Sequence, residues 1–463
     1  MIKFGTDGWR GLIAEDFTFD NLRLVAAALA CYITDRGEAK QGLVVGYDAR
    51  FLSKEFASAC AAVLRAKGLA VWLSDELLPT PALTWQVMDR QTAGGVMITA
   101  SHNPAVYNGF KFKATYGGSA SPEIVADIEV YVHKLEAACR KVPLTELTDA
   151  VQLYSPQQAY LQHVRDMLDA KVLTGFAGKI IFDVMHGGAM GYPLKLAETY
   201  GLDLVEVRGS VNPSFGGINP EPIDKNLAAL REAVLEQQAM IGLATDGDGD
   251  RIGAMDADGR FVNSHQIIAL LIKYLVEKRG WTGGVAKTVT VSELVSRVAR
   301  KYQLAVHETK VGFKYIADLM IHDDILIGGE ESGGIGLKGY IPERDGLLLG
   351  FMLIEMVAAY GKTLGQLLDE LTAELGYLAY AREDLHLEQT HKERLVKQLA
   401  ETTPTVLGEW QVLLANKIDG CKLTLDNGAW VMFRASGTEP IVRVYVEASS
   451  DDEVQKIMEV AVA

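Results

Sequence analysis

The chain has 463 residues, and its 60 acidic against 45 basic side chains give a formal charge of −15. That length suggests about three domains. The acidic balance argues against a general nucleic-acid binder or a polybasic membrane-surface protein, since both need clustered positive charge. Hydrophobic residues at 49% and charged residues at 23% describe a packed globular protein rather than a disordered one. The four cysteines, Cys31, Cys60, Cys139 and Cys421, form no CxxC pair, so neither a zinc knuckle nor a redox motif is expected. Their scarcity fits a reducing compartment. The first seven residues carry no apolar signal core. The most apolar helical stretch, residues 347–360, is interrupted by Glu355 and is shorter than the roughly 20 residues that span a bilayer. A cytoplasmic protein without nucleic-acid or membrane partners is expected.

Strand and helix patterns alternate along most of the chain. Leu43-Val44-Val45-Gly46-Tyr47-Asp48 reads as a buried strand ending in a polar turn. Ser53 offers a helix N-cap, with Phe56, Cys60, Val63 and Leu64 at helical spacing until Lys67-Gly68. Leu69-Ala70-Val71-Trp72-Leu73 reads as the next strand, completing a βαβ unit that predicts parallel sheet. Gly95-Val96-Met97-Ile98-Thr99 is another buried strand. The grammar returns at Lys179-Ile180-Ile181-Phe182-Asp183 and Met240-Ile241-Gly242-Leu243-Ala244, and again at Gly284-Val285-Ala286-Lys287-Thr288-Val289 and Asp324-Ile325-Leu326-Ile327-Gly328. Three α/β passes emerge without a strict sequence repeat. The last part differs: Lys422-Leu423-Thr424-Leu425 and Trp430-Val431-Met432-Phe433 flank Asp426-Asn427-Gly428, a hairpin signal. A strand from 441 and a helix from 451 close an α+β tail. Soft boundaries near 141–152, just after Arg251 and at 361–377 divide the chain into 1–150, 151–252, 253–372 and 373–463.

Ligands of open α/β sheets sit beyond the carboxyl ends of the strands, which singles out four loops. In Thr99-Ala100-Ser101-His102-Asn103-Pro104, a serine on a tight loop past a buried strand can act as a nucleophile, with His102 beside it. Lys111 follows ten positions later, able to fold back over a phosphate. Ser, Asn and Pro are also ordinary turn residues. Asp246-Gly247-Asp248-Gly249-Asp250-Arg251 places three carboxylates at alternate positions, which on an extended segment point to one side. An all-oxygen set suits Mg²⁺ rather than zinc. A calcium loop would need Gly and Glu where Arg251 and Ala257 stand. Three uncompensated carboxylates repel one another, and a metal explains them better than a solvated turn. In Gly328-Gly329-Glu330-Glu331-Ser332-Gly333-Gly334, Glu and Ser on a glycine-rich turn could hydrogen-bond a polyol such as a sugar, or form a plain exposed turn. Arg434-Ala435-Ser436-Gly437-Thr438-Glu439-Pro440 offers a cation, hydroxyls and an accessible glycine N–H, which together suit an anion; a hairpin turn is the alternative.

These loops, in this order and together with Phe4-Gly5-Thr6-Asp7-Gly8-Trp9-Arg10-Gly11, resemble the α-D-phosphohexomutase superfamily over essentially the whole chain. The resemblance implies three related α/β domains with mixed, largely parallel sheets and a smaller C-terminal α+β domain around a central cleft. It implies that Ser101 is the phosphorylated nucleophile and that Asp246, Asp248 and Asp250 hold one Mg²⁺, completed by an oxygen of the phosphoserine. Arg10, Lys111 and Arg251 would surround the reacting phosphate. Glu330 and Ser332 would grip sugar hydroxyls, and Lys310 would lie on a third-domain substrate loop. Arg434, Ser436, Gly437 and Thr438 would bind the phosphate that is not transferred. Several family members carry a histidine where this chain has Gly334, so proton transfer falls to Lys111 or His102.

The implied activity interconverts hexose 1-phosphate and hexose 6-phosphate, glucose being the expected sugar. It runs through phosphoserine and a 1,6-bisphosphate that also serves as activator. Its partners would be small hexose phosphates. A glucose-1,6-bisphosphate synthase drawing on a donor such as fructose 1,6-bisphosphate is the nearest alternative. A catalytically silent sugar-phosphate sensor and a metal-dependent phosphatase are more remote: a binder needs no nucleophile, and a closed two-phosphate cleft excludes water.

Overall fold

The computed structural model describes residues 2–5, 7–138, 141–148, 150–436 and 441–463. Buried apolar runs set three sheets with one shared strand order. In the first, Leu43–Tyr47 lies between Val71–Ser74 and Gly95–Ile98, both parallel to it, and Gly95–Ile98 turns back into the antiparallel strand Tyr107–Ala114. In the second, Lys179–Asp183 lies between Asp203–Val207 and Ile241–Thr245, and Ile241–Thr245 turns back into Ile252–Asp256. In the third, Gly284–Thr288 lies between Val306–Thr309 and Ile325–Gly329, which turns back into Ile335–Leu337. Leu43–Tyr47, Ile241–Thr245 and Gly284–Thr288, one strand from each sheet, are buried throughout, as strands between helix layers must be. The three turn-backs are residues 99–106, 246–251 and 330–334, so the same point of one repeated topology carries the first three of the four polar loops singled out above.

The fourth sheet is antiparallel, in the order Ala379–His386, Ile441–Ala448, Trp430–Ala435, Cys421–Leu425, Trp410–Asn416, Val406–Leu407. Its hairpin closes over Asp426-Asn427-Gly428, where Gly428 takes a positive φ of 83°. Strand alternation serves two interfaces at once. Val431, Val444 and Val446 pack under the closing helix Asp451–Val462, while Trp430, Met432 and Tyr445 pack against Val289 of the third unit.

Helix Gly346–Tyr360 is buried on every side from Gly346 to Val357. One continuous core joins it to Leu83 of the first unit, Phe182 of the second and Ile327 of the third. A side chain at Gly350 would meet the Phe182 ring at 2.8 Å, so glycine lets the helix approach. Among the described residues no single helix is long and apolar enough to cross a membrane.

Three details differ from the sequence reading. Ser53 is not the cap of its helix but its first residue, and its hydroxyl donates to Asp48 at 2.9 Å. The second sheet runs past residue 252, because Ile252–Asp256 and Phe261–Val262 add to it as antiparallel strands. The first sheet likewise takes in Gln152–Tyr154, parallel to Val71–Ser74 and beyond the division placed at 150.

His163 lies flat between Trp85 and Tyr340, at ring-centroid distances of 3.5 and 4.4 Å, stacking side chains of the first three units. Desolvation pushes its pKa down to about 4, and burial beside Tyr380 pushes His265 down to about 3. In the unfolded chain both titrate near 6.5. The stability they secure is therefore complete above about pH 6.5 and drains away as pH falls towards 4, since the unfolded state takes up protons that the folded state refuses. A His163→Phe variant keeps the stack and cannot protonate, so its thermal midpoint should fall less between pH 7 and pH 4.5 than that of the wild type. An identical fall would show that His163 contributes nothing to acid sensitivity.

Candidate active site

The first two turn-backs meet. Ser101 is buried, adopts a left-handed φ of 53°, and donates its hydroxyl to Asp246 Oδ2 at 2.9 Å across 145 residues of sequence. A β-carbon at Gly247 would lie 2.4 Å from the Ser101 carbonyl, so only glycine lets the two loops touch. The strained serine backbone is held from behind. Thr99 Oγ1 accepts the Ser101 N–H at 2.8 Å, and the Arg50 guanidinium donates to the carbonyls of Ser101, Asn103, Pro104 and Tyr107.

Asp246, Asp248 and Asp250 are fully buried and each offers an oxygen within 4.8 Å of the others. They converge because residues 246–250 form a turn, with Gly249 at φ 73°, rather than the extended segment read from the sequence. Their other contacts divide cleanly. Asp246 Oδ1 accepts the backbone N–H groups of Asp250 and Arg251 at 2.9 and 3.1 Å. Asp248 Oδ2 accepts the Thr80 hydroxyl and Lys111 Nζ, at 2.6 and 2.7 Å. Asp250 Oδ2 faces Lys111 at 3.3 Å and Arg344 at 2.8 Å. The Oδ1 atoms of Asp248 and Asp250 are buried without a hydrogen-bond partner among the described residues, and such oxygens are costly unless a cation takes them. A hard cation with oxygen ligands fits this donor set. Desolvation and the two neighbouring carboxylates raise the Asp246 pKa well above the ordinary range. Desolvation presses the same way on Asp248, but Lys111, the Thr80 hydroxyl and Arg344 together outweigh it and hold that carboxyl low.

Cations ring the cluster. Lys111, on the strand beside the serine loop, pairs with Asp248, Asp7 and Asp250. Burial opposes its charge, yet these carboxylates hold its pKa above the ordinary lysine value. Arg10 donates to Asn103, and Arg251 faces Glu221 at 3.4 Å and Asp246 at 3.9 Å. His102 Nδ1 lies 3.4 Å from the Ser101 hydroxyl. Desolvation and the cations Arg251, Arg10, Lys111 and Arg50 hold that imidazole neutral, its pKa well below the ordinary value.

The third turn-back joins the cluster through a residue the sequence reading passed over. Arg344 is buried and reaches Asp250, Asp7 and Glu343 at 2.8, 2.9 and 3.1 Å, with Glu330 at 3.9 Å. A β-carbon on Gly334 would lie 2.3 Å from Arg344 Cδ, so glycine there makes room for this side chain. Glu330 is buried and accepts the Gly312 N–H at 3.0 Å; desolvation raises its pKa. Ser332 is half-buried on the same loop and Lys310 is exposed in the third unit. Arg434 donates through Nε to Asp419 at 2.8 Å, and the buried Ser436 accepts at its carbonyl from Lys392 at 2.6 Å. Gly437 and Thr438 lie outside the described residues. Ser101, His102, Lys111, Arg10, Arg251 and the three aspartates thus form one contiguous group and Glu330 borders it, while Lys310, Ser332, Arg434 and Ser436 stand on other segments. Asp7, Arg50, Lys113, Glu343 and Arg344 were missed. The one local hint was Glu343-Arg344-Asp345, a charged triplet directly ahead of an uninterrupted apolar helix.

Family models for phosphoglucomutase/phosphomannomutase match in register with this architecture: α/β/α domain I over residues 1–138, domain II over 158–259, domain III over 263–375 and the C-terminal domain over 393–463. A phosphoglucomutase/phosphomannomutase of Thermococcus kodakarensis is 29% identical, the match spanning 99% of this chain and 97% of that protein. A phosphoglucosamine mutase of Thermobifida fusca is 32% identical over 98% and 96% of the respective chains. The crystal structure of a Thermus thermophilus protein assigned as a phosphomannomutase superposes with a TM-score of 0.87 at 36% identity, over 99% of this chain and 98% of that one. With four domain models in order and relatives matched end to end, the chain belongs to the α-D-phosphohexomutase superfamily and is an intramolecular phosphotransferase acting on hexose phosphates.

Proposed function

We propose that this mutase interconverts glucose 1-phosphate and glucose 6-phosphate, with Ser101 carrying the phosphoryl group in transit. The contact of Ser101 with the buried aspartate triplet supports this reading above all. Asp246, Asp248 and Asp250 would hold Mg²⁺, with a phosphoserine oxygen as a further ligand. Bound there, the ion would supply charge neutralisation for a migrating phosphoryl group. Transfer of this kind depends on positioning and electrostatics more than on covalent chemistry. When phospho-Ser101 meets a hexose monophosphate, the Ser101 Oγ–P bond breaks, a bond from phosphorus to the free sugar hydroxyl forms, and that hydroxyl's proton passes to the departing Ser101 oxygen. The 1,6-bisphosphate turns over, and Ser101 takes back the other phosphate through the reverse step.

Lys111, committed to three carboxylates, acts in this reading as fixed charge beside the serine. Arg10 and Arg251 steady the reacting phosphate. His102, neutral and beside the serine hydroxyl, is the group placed to exchange its proton. Glu330, with Ser332 on the same loop and Lys310 nearby, orients the sugar. Arg434, Ser436, Gly437 and Thr438 take the phosphate that stays attached. Arg344 stands in the space a larger residue at 334 would need, and brings positive charge to the boundary between sugar and phosphoryl sites.

The choice of sugar is tested by a substrate panel. Assayed with trace bisphosphate, glucose 1-phosphate should exceed mannose 1-phosphate and glucosamine 1-phosphate in kcat/KM; a preference for glucosamine would overturn the sugar assignment.

Two further outcomes follow. Incubation with glucose 1,6-bisphosphate should add one phosphoryl mass to the wild type and none to Ser101→Ala, whose turnover should drop to background. An unmodified wild type would remove Ser101 from its role, and release of bisphosphate beyond enzyme stoichiometry would favour the synthase alternative. Arg344→Ala should lower kcat about 100-fold with a smaller change in KM, as loss of a charge felt mainly in the transition state does. Arg344→Lys should recover part of that loss, and a pure KM effect would place Arg344 in ground-state binding only.

A further inference from the structure

The distal phosphate loop and the sugar loop belong to different units, yet a single carboxylate ties them together. Asp419 Oδ2 accepts from Arg434 Nε at 2.8 Å and, with the same oxygen, from the backbone N–H of Val311 at 2.9 Å. The next residue, Gly312, donates its N–H to Glu330 Oε1 at 3.0 Å. The route thus runs from Arg434 through Asp419, Val311 and Gly312 to Glu330, and on through Arg344 to Asp250. Local backbone chemistry holds both joints. Gly420 takes a φ of 91°, and a β-carbon there would meet the Phe433 carbonyl at 2.3 Å, so the turn that presents Asp419 is pressed against the strand that presents Arg434. Gly312 takes a φ of 129°, outside the reach of ordinary side chains, where the loop enters helix Phe313–His322.

We infer that Asp419 is a positioning residue that couples the site of the retained phosphate to the sugar-binding carboxylate. It fixes the Arg434 guanidinium and, by the same hydrogen-bonded oxygen, sets the height of the 310–312 loop on which the orientation of Glu330 depends. A phosphate on Arg434 then steadies Asp419, Val311 and Glu330 together, so the sugar is held once its far phosphate is seated. Partial exposure of the Arg434–Asp419 pair, at 16% and 24% of the two side chains, leaves it accessible to a bound anion. The coupling passes through contiguous hydrogen bonds rather than mere proximity. A second link between the same two units, from the Tyr380 hydroxyl to the Thr290 carbonyl at 3.1 Å, lies outside the turn that carries Asp419 and serves as the internal control.

This inference rests on the mutase reading, and the test separates the two. Steady-state kinetics are measured on the full-length wild type, Asp419→Ala, Glu330→Gln, the double variant and Tyr380→Phe, which keeps the ring and loses only the hydroxyl, with intact-mass analysis of phosphoserine on each. Asp419→Asn, isosteric and still able to accept the Val311 N–H, is carried in parallel in case Asp419→Ala folds poorly. Asp419→Ala should raise KM about tenfold, as loss of a charge-assisted hydrogen bond does, while still acquiring phosphoserine from glucose 1,6-bisphosphate. Asp419→Asn should shift KM in the same direction by less. The combined loss in kcat/KM of Asp419→Ala with Glu330→Gln, or of Asp419→Asn with Glu330→Gln, should fall short of the product of the single losses by about threefold or more. Multiplicative losses, or a KM shift in Tyr380→Phe equal to that in Asp419→Ala, would overturn the coupling. A wild type that never acquires phosphoserine would instead overturn the mutase reading beneath it.

Discussion

Three carboxylates buried within 4.8 Å of one another are the constraint around which the molecule is arranged. At an effective dielectric of about 20, each like-charged pair at such a distance costs roughly 3 kcal/mol, so the cluster persists only with cations brought to it. The chain brings them from every α/β unit: Lys111 from the first, Arg251 from the second, Arg344 from the third. The electrostatic demand of one six-residue loop therefore becomes a docking force among domains. A further buried pair, Lys113 with Glu343, joins the first unit to the third beside it. Balance is still incomplete, because the Oδ1 atoms of Asp248 and Asp250 find no partner among the described residues, which is where a divalent cation would complete it.

Repeated topology explains how three separate loops arrive at one place. Each α/β unit reverses direction after the same strand, and each reversal carries its own chemistry: a hydroxyl in the first, carboxylates in the second, a glutamate and a serine in the third. Helix Gly346–Tyr360 begins against the second of these loops, where Gly346 donates to the Gly249 carbonyl at 3.0 Å, and runs through the shared core. Position of the site and stability of the core are thereby set by the same element. The fourth unit stands apart in topology and approaches through polar and aromatic contacts with the third.

Residues close in sequence were legible; partners distant in sequence were not. The aspartate triplet announces itself because glycines alternate with carboxylates within six positions, and the serine loop because a buried strand breaks abruptly into Ser-His-Asn-Pro. Their convergence needed the fold, as did the turn conformation that gathers the aspartates. Arg344 stayed hidden because its partners Asp7 and Asp250 lie far away in sequence, and no periodicity marks such a pairing. Lys113 with Glu343, 230 residues apart, is hidden for the same reason. Asp419 gave no signal either, since a single aspartate before a glycine reads as an ordinary turn. The strand Ile252–Asp256 is apolar enough to open a new unit, and only its pairing with Ile241–Thr245 assigns it to the second sheet.

The most direct measurement is the anomalous scattering of a crystal grown with Mn²⁺ in place of Mg²⁺. A single strong peak about 2.1–2.3 Å from oxygens of Asp246, Asp248 and Asp250, on the side facing the Ser101 hydroxyl, is the predicted result. An acidic triplet left vacant at saturating Mn²⁺, or an ion bound on the face turned away from Ser101, would contradict it.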